Sequence, residues 1–392
     1  MPPRLLYLGD VPVESSYHGS TLLYRLFQHY PADRLFIIEG TMVPPRTDRR
    51  LAGVAHRTLA AGRARWLNTR FHSRYSWWLT VTARSRSGAA RKLLGAFAPD
   101  AVVTVPHGFS WITAAAVARD LRVPLHLIIH DDWPRAVEPP LRTRIDRVFG
   151  EVYRQAATRF CTSPFMAEEY ARRYGAPGTV LLPYRSADAP AFPPPSDRPG
   201  HHPGAPVFAF AGTINSPGYA TLLRRLAEAA GRRGGQVLIF GPLTADQARA
   251  SGLDHPAIRI GGLIEPSALM HRLRAEADVL FVPMSFALDD EASMRMGFPS
   301  KLTDYTAVAM PMLIYGPPYC SAVEWATRNP GVAEVVTSEQ AAELEAAVGR
   351  LADDPAHGLR LAARAQSVGD RDFSPAAAAA IFLSALEAGH SS

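Results

Sequence analysis

The most regular feature of the chain is a series of short, uninterrupted apolar runs, each closed by Gly, Pro, His or Asp and followed by a segment with helical spacing. In the first half these runs are LLYLGD (5–10), RLFIIEG (34–40), AVVTVPHG (101–108) and HLIIHDD (126–132). In the second half they are VFAFAGT (207–213), VLIFGP (237–242), IRIGGL (258–263), VLFVPMS (279–285) and MLIYGP (312–317). Continuous rather than alternating apolarity predicts strands buried on both faces, hence parallel sheets covered by helices. Strands and helices alternating in two series predict an α/β protein of two Rossmann-like, doubly wound domains.

The stretch DAPAFPPPSDRPGHHPGAP, 188–206, has neither a helical nor a strand period, and its prolines predict a semi-rigid linker. The expected organisation is a first domain over 1–187, the linker over 188–206, a second domain over 207–373, and a C-terminal helix over 374–392 with the option of packing back on the first domain. For that helix the sequence supplies Ser374 as N-cap, Pro375 at the first helical position and Gly389 beyond the end. Open α/β sheets bind ligands at the carboxyl ends of their strands, so two such sheets in tandem are expected to face one interdomain cleft.

A chain of 392 residues, 47% apolar, can bury two cores. The first apolar run is too short for a signal peptide or a membrane span. Cys161 and Cys320 lie far apart without zinc or disulfide spacing, which favours a reducing, cytoplasmic setting. The net charge of +6 is uneven: residues 46–92 hold twelve Arg or Lys against one acid, Asp48. A local excess of this kind suggests an anionic partner. Within it, ARWLNTRFHSRYSWWL puts Leu67, Phe71, Tyr75 and Trp78 on one predicted helical face with Arg70 and Arg74 adjoining. Residues 63–81 therefore read either as an interfacial helix on an anionic membrane or as a core-facing helix with a solvated basic side. No nucleic-acid motif accompanies the charge.

Lys301 is one of two lysines in a chain with forty arginines. Pro299 and Ser300 predict a helix start with Ser300 as N-cap, Lys301 in the first turn and a stop at Ala-Met-Pro, 309–311. A cation there opposes the helix dipole by about 0.3–1 kcal/mol. A phosphate held between the ammonium and the helix terminus removes that conflict; an exposed Lys301 paired with Asp304 at i+3 is the alternative. In PLHLIIHDDWP a strand ends on His130, Asp131 and Asp132, at the rim where ligands bind, and a neutral imidazole can both donate and accept hydrogen bonds there. Asp131 or Asp132 could orient an acceptor hydroxyl or simply cap the next turn. Two adjacent acids also raise the question of an oxygen-ligand metal site. His107, at another strand end, is a weaker candidate. Gly19, in SSYHGSTLLYRLFQHY, allows close backbone approach to a ligand or makes a tight turn without one.

Taken in order, VFAFAGTINSPGYATLLRRL, IRIGGLIEPSALMHRLRAEADVLFVPMS and FPSKLTDYTAVAMPMLIYGP resemble the donor domain of family 4 glycosyltransferases, retaining enzymes of the GT-B fold. The last stretch is similar to the PSK-type variant of that family's motif. The resemblance implies a first domain that binds acceptor and a second that binds a nucleotide sugar. It assigns catalysis to His130, Asp131, Asp132 and Lys301. Donor binding falls to Gly19, Gly212, Thr213, Asn215, Gly241, Gly262, Leu263, Ser300, Lys301, Leu302 and Asp304, with Asp304 on the ribose. Two departures matter. Thr213, Ile214 and Asn215 stand where many members carry Arg and Lys, which leaves Lys301 as the principal cation. Met296 stands near where a first glutamate is expected, so an acidic contact to the sugar is absent or comes from Asp289, Asp290 or Glu291. The expected function is sugar transfer from a nucleotide diphosphate sugar to a hydroxyl acceptor (glycan, lipid-linked saccharide or natural product), with retention and without metal or other cofactor. The alternatives are a nucleotide-sugar epimerase of the same architecture and a non-catalytic sugar-nucleotide binding partner.

Overall fold

In the computed structural model, which describes residues 1–15, 18–42, 46–62, 66, 67, 69–193, 202, 204–214 and 216–390, all nine apolar runs are strands. The chain forms two compact units, Met1–Pro183 with Pro375–Ser392, and Tyr184–Ser374. The first unit is built on strands β1 (Leu5–Gly9), β2 (Leu35–Gly40), β3 (Ala55–Leu59), β4 (Ala101–Thr104), β5 (Leu125–Ile129), β6 (Thr158–Cys161) and β7 (Thr179–Val180), ordered β3-β2-β1-β4-β5-β6-β7. The second is built on β8 (Val207–Ala211), β9 (Gln236–Phe240), β10 (Ile258–Gly262), β11 (Val279–Pro283), β12 (Met312–Tyr315) and β13 (Glu334–Val336), ordered β10-β9-β8-β11-β12-β13. Every pairing within the two sheets is parallel. Both orders are the doubly wound Rossmann-like pattern, in which the strand sequence reverses once, between β1 and β4 and again between β8 and β11.

Four strands are absent from the sequence reading. β3 (AHRTL) alternates and is partly exposed, β6 carries Arg159, and β7 and β13 are two and three residues long. They complete the flanks of sheets whose centres are continuous apolar runs, and flanking strands need less apolar sequence.

The C-terminal helix, Pro375–His390, belongs to the first unit. Its Phe382 is buried against Phe27 and Phe160, with ring centroids 5.9 and 5.6 Å away. Gly389 is inside this helix rather than beyond it. A Cβ there would come within 3.0 Å of the buried His126 ring, so the helix runs on past a residue whose lack of side chain permits the contact. Burial brings the His126 pKa down to about 4, so the ring is neutral at physiological pH. The proline-rich run expected to be a linker is partly held. The Phe192 carbonyl accepts from Gln366, and the Phe192 ring meets His271 at 5.0 Å and the Arg274 guanidinium at 5.4 Å, all within the second unit. Residues 194–201 and 203 lie outside the described set.

At the reversal point of the first sheet stands a buried carboxylate, Asp10, directly after β1. Its Oδ2 accepts the backbone N–H groups of Phe109 (2.6 Å) and Ser110 (2.7 Å), and its Oδ1 accepts the Ser110 hydroxyl (2.7 Å). Asp10 thus caps helix Ser110–Leu121 from a hundred residues away, supplying the partner and the negative charge that a helix start needs. A side chain at Gly40 or Gly108 would overlap the carboxylate, and Gly108 has φ of +67°, which favours glycine in any case. Asp10→Ala should destabilise the protein by roughly 2–3 kcal/mol, because it leaves two buried amides and a hydroxyl without an acceptor. Urea denaturation followed by circular dichroism measures this, and an unchanged midpoint contradicts the assignment.

Candidate active site

In the first unit, β5 ends at His130, and helix His18–Phe27 starts beside it: a Cβ on Gly19 would lie 3.2 Å from His130 Nδ1. The sequence-predicted pair Gly19 and His130 is therefore in van der Waals contact. Burial, countered by the Asp131 charge and reinforced by the neighbouring His107, lowers the His130 pKa to about 4. The ring is neutral at pH 7, with its two nitrogens in donor and acceptor roles. The His107 ring packs against Trp133 with centroids 4.4 Å apart and planes tilted by 43°, which extends the same rim.

The two acids after His130 have different fates. Asp131 is exposed. Asp132 is clamped: Arg173 Nη1 and Nη2 reach its two oxygens at 3.0 Å each, and the Tyr170 hydroxyl donates to Oδ1 at 2.9 Å. Arg173 also pairs with Glu169. Both carboxylate oxygens of Asp132 are thus engaged in holding helix Pro164–Tyr174 to the turn after β5, which leaves Asp131 as the acid of this pair that faces solvent.

In the second unit, three strand ends lie side by side. The Gly212 N–H donates to the Phe240 carbonyl at 2.9 Å, and the Gly241 N–H to the Gly262 carbonyl at 2.9 Å, so the ends of β8, β9 and β10 form a backbone shelf. Gly212 (φ +143°) and Gly262 (φ +73°) occupy backbone regions that favour glycine, and a Cβ on Gly241 would overlap the Gly212 carbonyl oxygen. Leu263, at the end of β10, is 77% exposed. Thr213 follows Gly212; Asn215 lies outside the described residues.

Helix Lys301–Val308 lies at the edge of that shelf. Its Tyr305 hydroxyl accepts the Ala211 N–H at 2.8 Å, which fixes the helix to the end of β8, and Leu302 is fully buried beneath it. The Lys301 ammonium lies 4.3 Å from the centroid of Phe210 and 5.5 Å from that of Tyr219, with Gly212 alongside. Ring faces attract a cation but do not replace its water. Burial accordingly lowers the Lys301 pKa to about 7, with no charged neighbour pulling it back up. Asp304, one turn further on, is half-buried and accepts the Thr303 hydroxyl at 3.4 Å.

The expected role of Ser300 needs correction. It occupies the N-cap position but has helical φ and ψ of −56° and −23°, and its side chain makes no cap bond. The Leu302 N–H bonds the Pro299 carbonyl (3.0 Å) and the Thr303 N–H bonds the Ser300 carbonyl (3.1 Å), so a tight turn already uses these amides. The ammonium, more than the helix terminus, is what this site offers an anion. Of the acids considered as replacements near Met296, Asp290 accepts the Ser216 hydroxyl at 2.7 Å, Glu291 pairs with Arg295 at 3.5 Å, and Asp289 is exposed; Met296 itself is buried. Phe210, Tyr219 and Tyr305 were missed from sequence. Only the YTA after Asp304 hinted at one of them, because apolar spacing reads such aromatics as core.

No group of three or more His, Cys, Asp or Glu that could hold a metal occurs among the described residues. No helix among them is long and apolar enough to cross a membrane. In the basic segment the helix His72–Val81 buries Ser76, Leu79 and Thr80. Trp66, Trp77 and Trp78 are 39%, 50% and 42% exposed, with Arg70 and Arg74 exposed beside them. Of the predicted face, Leu67, Phe71 and Tyr75 are part-buried and only Trp78 is exposed, and the helix itself begins at His72 rather than covering all of 63–81. Residues 63–65 and 68 lie outside the described set.

Residues 30–185 match the family model of a glycosyl transferase 4-like domain, and the two Rossmann-like sheets are those of the GT-B fold. By sequence the chain matches no curated protein. Among solved structures it is similar to HepE of Anabaena in complex with UDP-glucose, with a TM-score of 0.67 and 14% identity over 98% of this chain and 99% of that one. It is likewise similar to sucrose-phosphate synthase from Thermosynechococcus elongatus (TM-score 0.68, 17% identity, 96% of each chain). A third is an α,α-trehalose-phosphate synthase (UDP-forming) from Burkholderia vietnamiensis (TM-score 0.63, 13% identity, 98% and 99%). At these identities the likeness is one of fold.

Gly241→Ala tests the shelf. The added methyl must displace the Gly212 carbonyl, and a loss of roughly 1–3 kcal/mol is expected from such overpacking. A thermal melt unchanged from wild type would show that the strand ends are not in contact as described.

Proposed function

We propose that this protein transfers a sugar from a nucleotide diphosphate sugar to a hydroxyl acceptor, with retention of anomeric configuration and without a metal. The observation that carries this reading is Lys301: a part-buried ammonium on two aromatic faces, beside a glycine shelf at strand ends, with no ion pair among the described residues. A diphosphate supplies the counter-charge, and the ammonium then stabilises the negative charge that develops on the leaving nucleotide as the glycosidic bond breaks. Asp304, one turn along the same helix, is the acceptor for the ribose hydroxyls, while the backbone at Gly241, Gly262 and Leu263 borders the base. In the first unit His130, neutral and packed on Gly19, hydrogen-bonds sugar hydroxyls, and Asp131 orients the acceptor. Retention rests on the resemblance of the Lys301 helix to the PSK-type motif of family 4. HepE is known in complex with UDP and with UDP-glucose, which makes UDP the first nucleotide to try.

The pH dependence follows from the charge state. With a pKa of about 7, Lys301 is largely protonated below pH 7 and largely neutral above it. Diphosphate binding requires the ammonium, so above pH 7 a proton must be taken up on binding, and affinity falls by up to about tenfold per pH unit. Calorimetric titration with UDP, GDP and ADP at pH 6.5, 7.5 and 8.5 should show this decline in wild type for the nucleotide that binds. Lys301→Ala should bind about 10–100-fold more weakly at pH 6.5, the loss of a charge-assisted contact, and show a flatter pH profile while its circular dichroism stays native. Equal affinities in the two proteins would remove the proposed role.

The same reading includes a cytoplasmic protein that lies peripherally on an anionic membrane through residues 63–81. The exposed Trp77 and Trp78 beside Arg70 and Arg74 support it: indole rings favour the headgroup region and arginines favour anionic lipid. Wild type should co-sediment with phosphatidylglycerol vesicles at low salt and be released at high salt, and Trp77→Ser with Trp78→Ser should weaken the association severalfold. A wild-type protein that stays in the supernatant at low salt would refute membrane docking.

A further inference from the structure

We propose that Arg185 is a positioning residue for the donor site. Its guanidinium ties the helix bearing Lys301 and Asp304 to both connections between the two units, so that nucleotide occupancy and the ordering of those connections are coupled. The inference rests on the donor reading above.

The chain enters the second unit at Tyr184 and leaves it after Ser374. Directly inside these points, the Arg185 N–H donates to the Phe373 carbonyl at 3.0 Å, so the two connections are joined by backbone. The Arg185 side chain is 12% exposed and spreads its donors over three acceptors. Nε donates to the Thr303 carbonyl at 3.0 Å, Nη2 to Thr306 Oγ1 at 2.9 Å, and Nη1 to Asp370. Thr303 and Thr306 are fully buried, and the Thr306 hydroxyl in turn faces the Leu302 carbonyl at 2.8 Å. One planar fork therefore grips the first turns of helix Lys301–Val308 and the last turn of helix Pro355–Asp372. A lysine ammonium on a flexible stem cannot reproduce that geometry. Gly369 leaves the room: a Cβ there would overlap both Arg185 Nη2 and Thr306 Oγ1.

None of these groups reaches Lys301, so the effect is through the helix. An anion that orders Lys301 and Asp304 orders the turn whose carbonyl and hydroxyl hold Arg185, and by linkage a slack Arg185 weakens the anion's hold. A purely structural arginine would affect stability without a ligand-dependent signature.

The test uses the full-length protein, calorimetric titration with UDP, GDP and ADP, and hydrogen–deuterium exchange with and without the nucleotide that binds. Arg185→Lys and Arg185→Gln leave Lys301 and Asp304 unaltered; each should lower nucleotide affinity about tenfold, the loss of one charge-assisted hydrogen bond. In wild type the nucleotide should slow exchange at residues 184–186 and 372–375 as well as in 301–308; in the variants protection at the connections should be lost. Should either variant fail to fold, Asp370→Asn, which removes a single arm at a side chain 61% exposed, carries the same readout with a smaller change. Nucleotide affinity and protection equal to wild type in the folded variants would overturn the inference while leaving the donor site intact. Failure of wild type to bind any of the three nucleotides would overturn the donor reading, and this inference with it.

Discussion

Every strand pairing in the two sheets is parallel, and a parallel ladder obliges the chain to travel back across a face before each new strand begins. Two consequences follow. The central strands are covered on both sides and are largely apolar, so most polar groups are displaced to the strand ends. The carboxyl ends of all strands in a sheet also share one edge, and that edge collects whatever polar residues close the runs. Asp10, His107 and His130 gather in this way in the first unit, and Gly212, Gly241 and Gly262 in the second. The chemistry of the protein is concentrated by the topology before any individual side chain is chosen.

Within that frame, buried charges separate into two kinds. Asp10 is met by three donors and Asp132 by a two-pronged arginine and a tyrosine hydroxyl. Such ions hold elements together and have little capacity left for a ligand. Glu39 behaves alike: burial raises its pKa, but the Val13 N–H, the Arg50 guanidinium and the nearby His56 ring outweigh this and bring it below the usual carboxylate value. Lys301 is different: among the described residues ring faces and the Gly212 backbone stand near its ammonium, no ion pair is formed, and desolvation lowers its pKa. Desolvating an ion without compensation is costly, and such sites are retained where something else provides the compensation. Satisfaction, rather than burial, distinguishes the scaffold ions from the candidate site.

Nine of the thirteen strands were legible in the sequence because each is a local signal, a run of apolar residues closed by a breaker. The positions of Lys301 at a helix start and of His130 directly after a strand were legible as well, since each follows from local pattern. The departures arose where local pattern was indifferent. Ser300 has the residue type of a cap, but the turn at Pro299 bonds the next amides first. Gly389 has the residue type of a helix stop, but contact with His126 keeps it inside the helix. Asp131 and Asp132 are indistinguishable as neighbours in sequence, and only Arg173, some forty residues on, separates their roles.

The sequence by itself determined the period of each element, and with it the class of fold, because burial on one face, both faces or neither is written into successive residues. Tertiary structure alone decided the partners: which helix Asp10 caps, which aromatic rings the lysine rests on, which unit takes the final helix, and what Arg185 grips. Those contacts join residues as far apart as Phe27 and Phe382. A residue's type states only that it needs a partner; the folded chain's geometry states which one.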